Sequence, residues 1–439
     1  MEQPPLPLSN QASKRLHAMI PGGAHTYAKG DDQYPENMAP VISHGSGAHV
    51  WDVDGNSYLE YGSGLRSVSL GHAHPRVVEA VKREIDRGGN FVRPSIVEAD
   101  AAERFLATVT TAEMVKFAKN GSDATTAAVR LARAATNRPL VAICHDHAFF
   151  STDDWFIGTT AMAAGIPGEI NDLTVTFPYG DLAATEEMLR LHSGRVACMI
   201  LEAATQQEPP PGYLAGLRAL ATKYGVVLIF DEMITGFRWS EAGAQGLYGV
   251  TPDLSTFGKA LGNGFAVSAL AGKRELMELG GLRDSRERAF ILSTTHGGET
   301  HALAAAMAVL DTYEEEGITA RLHALGERLA TGVRAVTAAA GLADHVVVRG
   351  RASNMVFATL DHNLKPSQDY RTLFLRQLIS GGVIGPSFVV SSAMTDADID
   401  RTVDVVAQAC VVYGKALDSG DPTAWTGGRS VKPVFRRFA

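Results

Sequence analysis

The stretch VVLIFDEMITGFR, residues 226–238, places Asp231 directly after five consecutive apolar residues. A short apolar run bounded by turns is typical of a strand that is buried on both faces of a sheet. A carboxylate at the end of such a strand is costly to bury unless another group pairs with it. The segment alone leaves two interpretations open: a helix cap or structural ion pair, or a functional carboxylate at the edge of a sheet.

Similar apolar runs alternate with helical segments over much of the chain. EMVKFAKNGS, PLVAIC and VACMILEA predict further strands, and DATTAAVRLARAAT and ETHALAAAMAVLDTYEEEG predict helices. This alternation indicates an α/β fold with a mostly parallel central sheet and helices on both of its faces. Because such sheets bind ligands at the carboxyl ends of their strands, Asp231 is predicted to lie in a binding site.

The two ends of the chain have a different character. GAHVWDVDGNSYLEY alternates around an Asp54-Gly55 turn and predicts a hairpin, whereas HVVVRGRASNMVFATL and DADIDRTVDVVAQACVVYGKAL have an α+β composition. The proline-rich PPLPL, residues 4–8, predicts an irregular arm. We expect an N-terminal arm and hairpin (1–75) that join the small domain, a large cofactor-binding domain (76–325) and a smaller C-terminal α+β domain (326–439).

Composition argues against several functional classes. The formal net charge of −8 over 439 residues opposes a broad nucleic-acid surface. The chain has no run of 18 or more apolar residues and no start resembling a signal peptide, so we expect no membrane association and a cytoplasmic location. Cys144, Cys198 and Cys410 are predicted to be buried free thiols, and His72 and His74 have no further ligands nearby, so no metal site is expected.

A single lysine, Lys259, stands among small and apolar residues in DLSTFGKALGNGF, downstream of Asp231. Gly258 and Gly262 leave room for a bulky group, and apolar surroundings free a lysine amine to act as a nucleophile. By itself, such a lysine would be a solvated charge in a loop. Lys259 and Asp231 together meet the needs of pyridoxal phosphate, whose aldehyde binds a lysine and whose ring nitrogen pairs with a carboxylate.

The same cofactor needs a phosphate site, and AKNGSDATTAAVRLARAAT supplies a candidate. Gly121 and Ser122 stand where a turn enters a helix, so that backbone N–H groups and the helix dipole face an anion. Taken alone, this motif could equally be an ordinary helix cap.

Together these motifs resemble the class III aminotransferases of pyridoxal-phosphate fold type I, and among them the glutamate-1-semialdehyde aminotransferase group. LIFDEMITGFR and TFGKALGNG carry the resemblance, which extends from PGGAHTYAKG (21–30) to DADIDRTVDVV (396–406). It implies that Lys259 holds the cofactor as a Schiff base and moves a proton, and that Asp231 pairs with the ring nitrogen. It further implies roles for Met233 under the ring, Gly121 and Ser122 at the phosphate, Glu202 near the ring oxygen, and Thr295 at the phosphate of the neighbouring subunit in a homodimer with shared active sites.

Several segments depart from the family pattern. CHDHAFFSTDDWFIG (144–158) has Asp146 where the family has a tyrosine that stacks on the cofactor, so His147 or Phe149 would stack instead, and we favour His147. GGAHTYAK replaces the GGVNSPVR of the aminomutase, which makes Tyr27 a candidate substrate contact. In GLRSVSLGH, Arg66 follows the position expected to hold a tryptophan and is a second candidate.

These departures favour ordinary ping-pong transamination from an amino donor to an aldehyde or ketone acceptor. The segment after DWFIGTT is short and unlike the gating loop that a mutase needs to retain its intermediate. The alternative is glutamate-1-semialdehyde 2,1-aminomutase, which uses the same residues. A non-catalytic protein of this fold is a third possibility, which the presence of both Lys259 and Asp231 opposes. Arg93 remains an alternative to Arg66 as a substrate contact. The polar side chains introduced by the departures at residues 25–27, at Arg66 and at residues 146–149 suit a hydroxylated or sugar-like acceptor.

Overall fold

A computed structural model describes residues 3–147 and 149–438. The helices formed by these residues all lack the combination of length and hydrophobicity that a membrane span requires. The strands, in chain order, are β1 (Ile42–Ser46), β2 (His49–Asp52), β3 (Ser57–Glu60), β4 (Met114–Ala118), β5 (Leu140–Cys144), β6 (Thr174–Phe177), β7 (Val196–Leu201), β8 (Val227–Asp231), β9 (Leu254–Phe257), β10 (Ser268–Gly272), β11 (Val346–Arg349), β12 (Val356–Thr359) and β13 (Val383–Ile384). The helices are α1 (Pro7–Met19), α2 (Ser63–Arg66), α3 (Pro75–Ile85), α4 (Ile96–Thr108), α5 (Gly121–Thr136), α6 (Asp154–Ile157), α7 (Gly168–Asn171), α8 (Leu182–Leu191), α9 (Tyr213–Tyr224), α10 (Gly243–Tyr248), α11 (Arg274–Met277), α12 (Thr300–Glu316), α13 (Ile318–Ala339), α14 (Gln368–Ser380), α15 (Asp396–Ser419) and α16 (Thr423–Thr426).

The chain divides into two compact units. The first contains the chain up to Leu65, together with Ser69–His74 and Ala320–Arg436. The second contains Arg66–Val68, Pro75–Thr319 and the chain from Arg437 onward. All the predicted site residues except Tyr27 therefore belong to the second unit.

A seven-stranded sheet in the order β4-β10-β9-β8-β7-β5-β6 forms the centre of the second unit. The four strand pairs from β9 across to β6 are parallel, and β10 runs antiparallel to both β9 and β4. The predicted α/β fold with a mostly parallel sheet is thus confirmed. The reversed strand β10 was not predicted, because an apolar run such as SALAG does not reveal the direction of its strand.

Side chains of this sheet alternate between two apolar cores, one on each face. In β5, for example, Val141 and Ile143 pack into one core with α5, whereas Ala142 and Cys144 pack into the other with α8 and α9. Because β5, β7 and β8 are parallel, their carboxyl ends meet at one edge of the sheet, where Asp231 ends β8. This edge carries the candidate site.

The first unit contains a four-stranded sheet in the order β1-β2-β3-β13. Strands β2 and β3 form the predicted hairpin, and β13 lies parallel to β3 with Val383 opposite Leu59. The N-terminal hairpin and the C-terminal part of the chain therefore share one sheet. The core of this unit includes Met38, Val50, Tyr58, Ile379 and Ile384.

Helix α1 begins at Pro7, inside the segment that was predicted to be an irregular arm. That prediction is wrong from Pro7 onward, because the first turn of a helix tolerates the fixed φ and missing N–H of proline. The N–H groups of Leu8 and Ser9 donate to the Asp54 carboxylate at 2.7 and 2.8 Å, so the hairpin turn satisfies this helix start.

Candidate active site

Asp231 ends β8 with its side chain almost fully buried, at 3% exposure. Its Oδ1 accepts hydrogen bonds from the Met233 N–H at 2.9 Å and the Thr256 hydroxyl at 3.2 Å. Burial raises the pKa of Asp231 to about 6, while Lys259 and these two hydrogen bonds lower it. The protein therefore holds a carboxylate whose charge is only partly compensated, and a cationic group beside it would offset the cost of burial.

Lys259 follows Gly258 at the end of β9 and begins a turn of 3₁₀ helix, Lys259–Gly262. Its φ of 47° lies in the left-handed region, which a lysine rarely adopts and which is more frequent at functional sites. Burial lowers the pKa of Lys259, whereas the carboxylates of Asp231 and then Glu202 raise it. The amine and the Asp231 carboxylate thus influence each other directly.

Met233 links the lysine segment to the predicted phosphate turn. A Cβ added to Gly258 would lie 2.7 Å from the Met233 sulfur, and one added to Gly121 would lie 3.0 Å from the same atom. The side chain of Met233 is itself buried, at 6% exposure. The predicted ring-packing residue, the lysine segment and the phosphate turn therefore lie together, and both glycines are needed for the close approach.

The phosphate turn is the start of α5, a helix of 16 residues. Asn120 caps it, and Asp123 accepts the Asn120 N–H at 2.9 Å, which closes a capping box. The Ser122 hydroxyl oxygen accepts the N–H of Thr152 at 3.0 Å. The Asp123 N–H donates to the Asn120 carbonyl at 3.2 Å. The first N–H groups of a helix lack carbonyl partners one turn earlier, so the start of α5 is suited to bind an anion.

Glu202 follows β7, the strand adjacent to β8. Burial, and then the charge of Asp231, raises the pKa of Glu202 to about 8, while Lys259 and Arg66 lower it. Its backbone N–H donates to His147 Nδ1 at 3.1 Å. The structure therefore brings Glu202 and His147 into the same site as Asp231 and Lys259.

Arg66 also belongs to this group of charges. Burial lowers the pKa of its guanidinium, and Glu202 raises it. Arg66 has a φ of 71°, and its carbonyl accepts a hydrogen bond of 2.6 Å from Nη2 of the fully buried Arg238. The backbone at Arg66 is thus held in an uncommon conformation by a second arginine.

Two further predicted site residues, Thr295 and Tyr27, are exposed. Thr295 is exposed, and its carbonyl accepts a hydrogen bond from the Asn90 side chain at 3.0 Å. Tyr27 lies in the first unit, in the turn Tyr27–Lys29, with a side chain that is 64% exposed.

The loop after β5 explains why Asp146 stands where a tyrosine was expected. Asp146 accepts the backbone N–H of Tyr179 at 2.7 Å and forms an ion pair with His145 at 3.2 Å, so it ties this loop to the one after β6. His147 is 7% exposed, whereas Phe149 is 42% exposed and packs edge-on against Phe156.

Glu232 is a site-forming residue that the sequence analysis missed. Its fully buried carboxylate accepts the N–H groups of Ala244 and Gln245, each at 2.8 Å, and the Thr235 hydroxyl. Burial raises the pKa of Glu232 to about 7. The signal was the adjacent Asp-Glu pair: a second acid directly after a buried strand end also needs partners, and here it fixes the loop that carries Met233.

The described residues fit pyridoxal phosphate in three respects. Lys259 offers an amine for the aldehyde, Asp231 a carboxylate for the ring nitrogen, and the start of α5 a cradle for the phosphate. In addition, His147 Nε2 is buried and has no hydrogen-bond partner among the described residues, so a donor is available for a bound group.

Comparison with known proteins gives a consistent result. A family model described as aminotransferase class III matches residues 31–409. A glutamate-1-semialdehyde 2,1-aminomutase of Desulfitobacterium hafniense is 34% identical over 420 residues, which cover 90% of this chain and 96% of that protein.

Solved structures agree with the sequence comparisons. A transaminase with pyridoxal phosphate bound is 26% identical, with a TM-score of 0.85 over 96% of this chain and 99% of that one. An omega-transaminase from Sphaerobacter thermophilus is 26% identical, with a TM-score of 0.83 over 94% of this chain and 98% of that one. The chain therefore belongs to the class III aminotransferases and is an enzyme that depends on pyridoxal phosphate.

Proposed function

We propose that the protein is an aminotransferase that moves an amino group from an amino donor to an aldehyde or ketone by a ping-pong mechanism. The observation that carries this proposal is the meeting of Lys259, Asp231 and the start of α5 around Met233. Pyridoxal phosphate, when bound, carries the amino group between the two half-reactions and takes up electrons from the substrate carbon.

Lys259 would hold the cofactor through Nζ and would then move the proton at the substrate Cα. Burial lowers the pKa of this amine, which increases the fraction of the neutral form that can accept a proton. Asp231 and Glu202 oppose this effect, so the amine can also be protonated and return the proton. The same group can therefore serve as base in one half-reaction and as acid in the other.

Asp231 would hold a proton on the ring nitrogen. Its Oδ1 already accepts two hydrogen bonds from the protein, which fix the orientation of the carboxylate before any ligand arrives. A preorganised charge in a site with little water stabilises developing charge at no cost of reorganisation. The remaining cofactor contacts that we propose are Gly121 and Ser122 at the phosphate and Met233, Glu202 and His147 at the ring.

Substrate contacts are proposed at Arg66 and Tyr27. Arg66 is supported by its place beside Glu202 and Lys259. A guanidinium in this position would bind a carboxylate or hydroxyl oxygen of the substrate. Tyr27 is supported by its position in the segment that replaces GGVNSPVR and by its accessible ring.

We further propose a homodimer that works in the cytoplasm. The exposed Thr295 would reach the phosphate of the neighbouring subunit, and the three cysteines are free and buried, as is common in a reducing compartment. Sedimentation of the native chain and of Thr295→Ala, each with added cofactor, tests the first point: the variant should stay dimeric but bind cofactor more weakly.

The aminomutase is the second candidate function, because relatives of this chain carry that name. Three sequence features support transamination instead: Asp146 in the loop after β5, the GGAHTYAK segment, and Arg66. Incubation with glutamate 1-semialdehyde, without any other donor or acceptor, separates the two. The mutase would convert it over many turnovers, whereas the proposed enzyme would convert little more than one equivalent per active site.

The identity of the acceptor is tested with a panel of amino donors and carbonyl compounds. The absorbance of the bound cofactor reports each half-reaction separately. Hydroxylated or sugar-like carbonyl compounds are the expected acceptors, since Arg66 offers hydrogen-bond donors to hydroxyls. Higher kcat/KM for unsubstituted alkyl aldehydes would contradict this expectation.

A further inference from the structure

His147 has a fixed tautomer. It lies in the loop between β5 and α6, and its Nδ1 is 3.1 Å from the backbone nitrogen of Glu202. Since a backbone N–H can only donate, Nδ1 must be the acceptor. In the neutral ring the proton then resides on Nε2, so this atom is a donor.

The ring stays neutral in the ordinary pH range. Burial lowers the pKa of His147 to about 4; Asp146 raises it and His145 lowers it, both more weakly. The titratable groups that face the ring come from its own loop, from Tyr179 in the loop after β6 and from the end of β7: His145, Asp146, Tyr179 and Glu202. None of them reverses the effect of burial, so the donor on Nε2 persists.

Aromatic neighbours hold the ring in one orientation. Its centroid lies 5.1 Å from that of Tyr179 and 6.0 Å from that of Phe150, and both contacts are tilted. The Tyr179 hydroxyl is itself anchored on the Ala203 carbonyl at 2.9 Å. His147 therefore presents an edge with a defined direction.

The Nε2–H donor is buried and lacks an acceptor among the residues that the structure describes. A buried donor without a partner is costly, so proteins rarely keep one unless a ligand or water accepts its hydrogen bond. The position of this donor favours a ligand as the acceptor. His147 accepts the backbone N–H of Glu202, which follows β7, and Asp231 ends the adjacent strand β8. The donor therefore belongs to the candidate active site.

We infer that the His147 Nε2–H donates a hydrogen bond to an oxygen of bound pyridoxal phosphate, while Nδ1 keeps the backbone of Glu202 in place. His147 then contributes a directed hydrogen bond rather than a stacked ring. This inference goes beyond the proposed transamination and depends only on cofactor binding, so it holds whichever carbonyl compound is the substrate.

The first test is nitrogen NMR of the full chain labelled with ¹⁵N-histidine, with the cofactor removed and then added back. The signals of His147 are assigned by their absence in His147→Asn. We expect a single neutral tautomer from pH 6 to 9, with the proton on Nε2, and a shift of the Nε2 signal when pyridoxal phosphate binds. Inorganic phosphate alone serves as a second probe: a shift with phosphate assigns the acceptor to the phosphate group, and a shift only with the whole cofactor assigns it to a ring substituent.

The second test compares two variants that differ in whether a donor remains near the position of Nε2. In His147→Asn the side-chain oxygen can still accept the Glu202 N–H, but the distal donor is lost. In His147→Gln the amide can place a donor near the position of Nε2. We expect His147→Asn to raise the Kd for pyridoxal phosphate about 10-fold or more and His147→Gln to recover most of that loss.

His145→Asn is the matched control, because His145 lies in the same loop with its side chain half exposed and paired to Asp146. Its Kd should remain within about 2-fold of the native value. The inference is overturned if His147→Asn binds the cofactor as tightly as the native chain, or if the Nε2 signal is the same with and without cofactor. If His147→Asn folds poorly, the signals of His147 are assigned by their absence in His147→Gln, and the NMR comparison itself uses the native chain.

Discussion

Replacing Asp231 with asparagine should stabilise the cofactor-free protein while it abolishes most activity. Asparagine has nearly the same shape, and its Oδ1 can still accept the two hydrogen bonds from Met233 and Thr256. What the change removes is a buried negative charge. The substitution therefore isolates the electrostatic cost that this carboxylate carries before the cofactor binds.

The size of the effect follows from the pKa of Asp231. Burial raises it from 3.8 to about 6, and this difference corresponds to about 3 kcal/mol. Below pH 3.8 the group is protonated in the folded and the unfolded chain, so it has no effect. As the pH rises toward 6 the unfolded chain ionises more readily, so the folded state loses stability, and above about 7 the full cost is present.

The free energy of unfolding, measured by urea titration of the cofactor-free protein, should therefore be higher for Asp231→Asn. The expected gain over the native chain is up to about 3 kcal/mol at pH 7.5 and about half of that at pH 5. Asp231→Asn also removes the negative charge that raises the pKa of Lys259. The loss of this attraction offsets part of the gain, so these values are upper limits. Activity with cofactor should fall by at least about 100-fold, since no carboxylate then stabilises the ring nitrogen.

Asp253→Asn is a control that should respond in the opposite direction. Asp253 accepts the Leu228 N–H at 2.8 Å and pairs with Arg218 at 2.8 Å and Lys273 at 2.6 Å, and its pKa is lowered. Its replacement should cost about 3 kcal/mol at pH 7.5, because two cations lose their partner. A destabilising effect of Asp231→Asn at pH 7.5, or a difference from the native chain that does not change with pH, would refute the reasoning.

Three further substitutions, Lys259→Ala, Gly258→Ala and Glu232→Gln, test single features of the site, and Met233→Ala and Gly414→Ala serve as comparisons for Gly258→Ala. Lys259→Ala should abolish turnover yet leave the cofactor bound without a covalent link, which absorbance and dialysis distinguish; retained turnover would disprove the role of Lys259. Gly258→Ala should lower the free energy of unfolding by about 1–3 kcal/mol, because the new Cβ would lie 2.7 Å from the Met233 sulfur. The loss should be smaller when Met233→Ala is also present, whereas Gly414→Ala, with nothing within 4 Å of its Cβ, should not destabilise. Glu232→Gln should cost about 1–3 kcal/mol, since an amide cannot accept all three hydrogen bonds, and an unchanged urea midpoint would argue against this.

Features set by local pattern could be predicted from the sequence. The apolar run before Asp231 predicted β8 and its carboxyl end, and the turn at Asp54-Gly55 predicted the hairpin of β2 and β3; the structure contains both. Such features depend on neighbours in the chain, so hydrophobic period and turn chemistry suffice to find them.

Features set by distant contacts could not be predicted. The antiparallel direction of β10 depends on pairing with β4 and β9, which its own five residues do not encode. The left-handed turn at α2, with φ of 60° at Leu65 and 71° at Arg66, contradicts the ordinary preference of both residues. Tertiary contacts such as the hydrogen bond from Arg238 help to impose it, and strained backbone of this kind is expected near functional sites.

The roles of individual polar residues divide in the same way. The lysine and aspartate were found because a rare residue type stood in an apolar setting. The function of Asp146 was not found, since its partner, the Tyr179 N–H, is distant in sequence. The tautomer of His147 likewise depends on the backbone N–H of Glu202, which follows β7, whereas His147 follows β5.

We propose that the enzyme moves an amino group between two different molecules. The most direct measurement loads the protein with pyridoxal phosphate, adds an amino donor alone, and quantifies the oxo product per bound cofactor. We predict a burst of one equivalent that then stops, and resumed turnover as soon as an aldehyde or ketone acceptor is added. Continuous conversion of glutamate 1-semialdehyde with no second substrate would contradict the account.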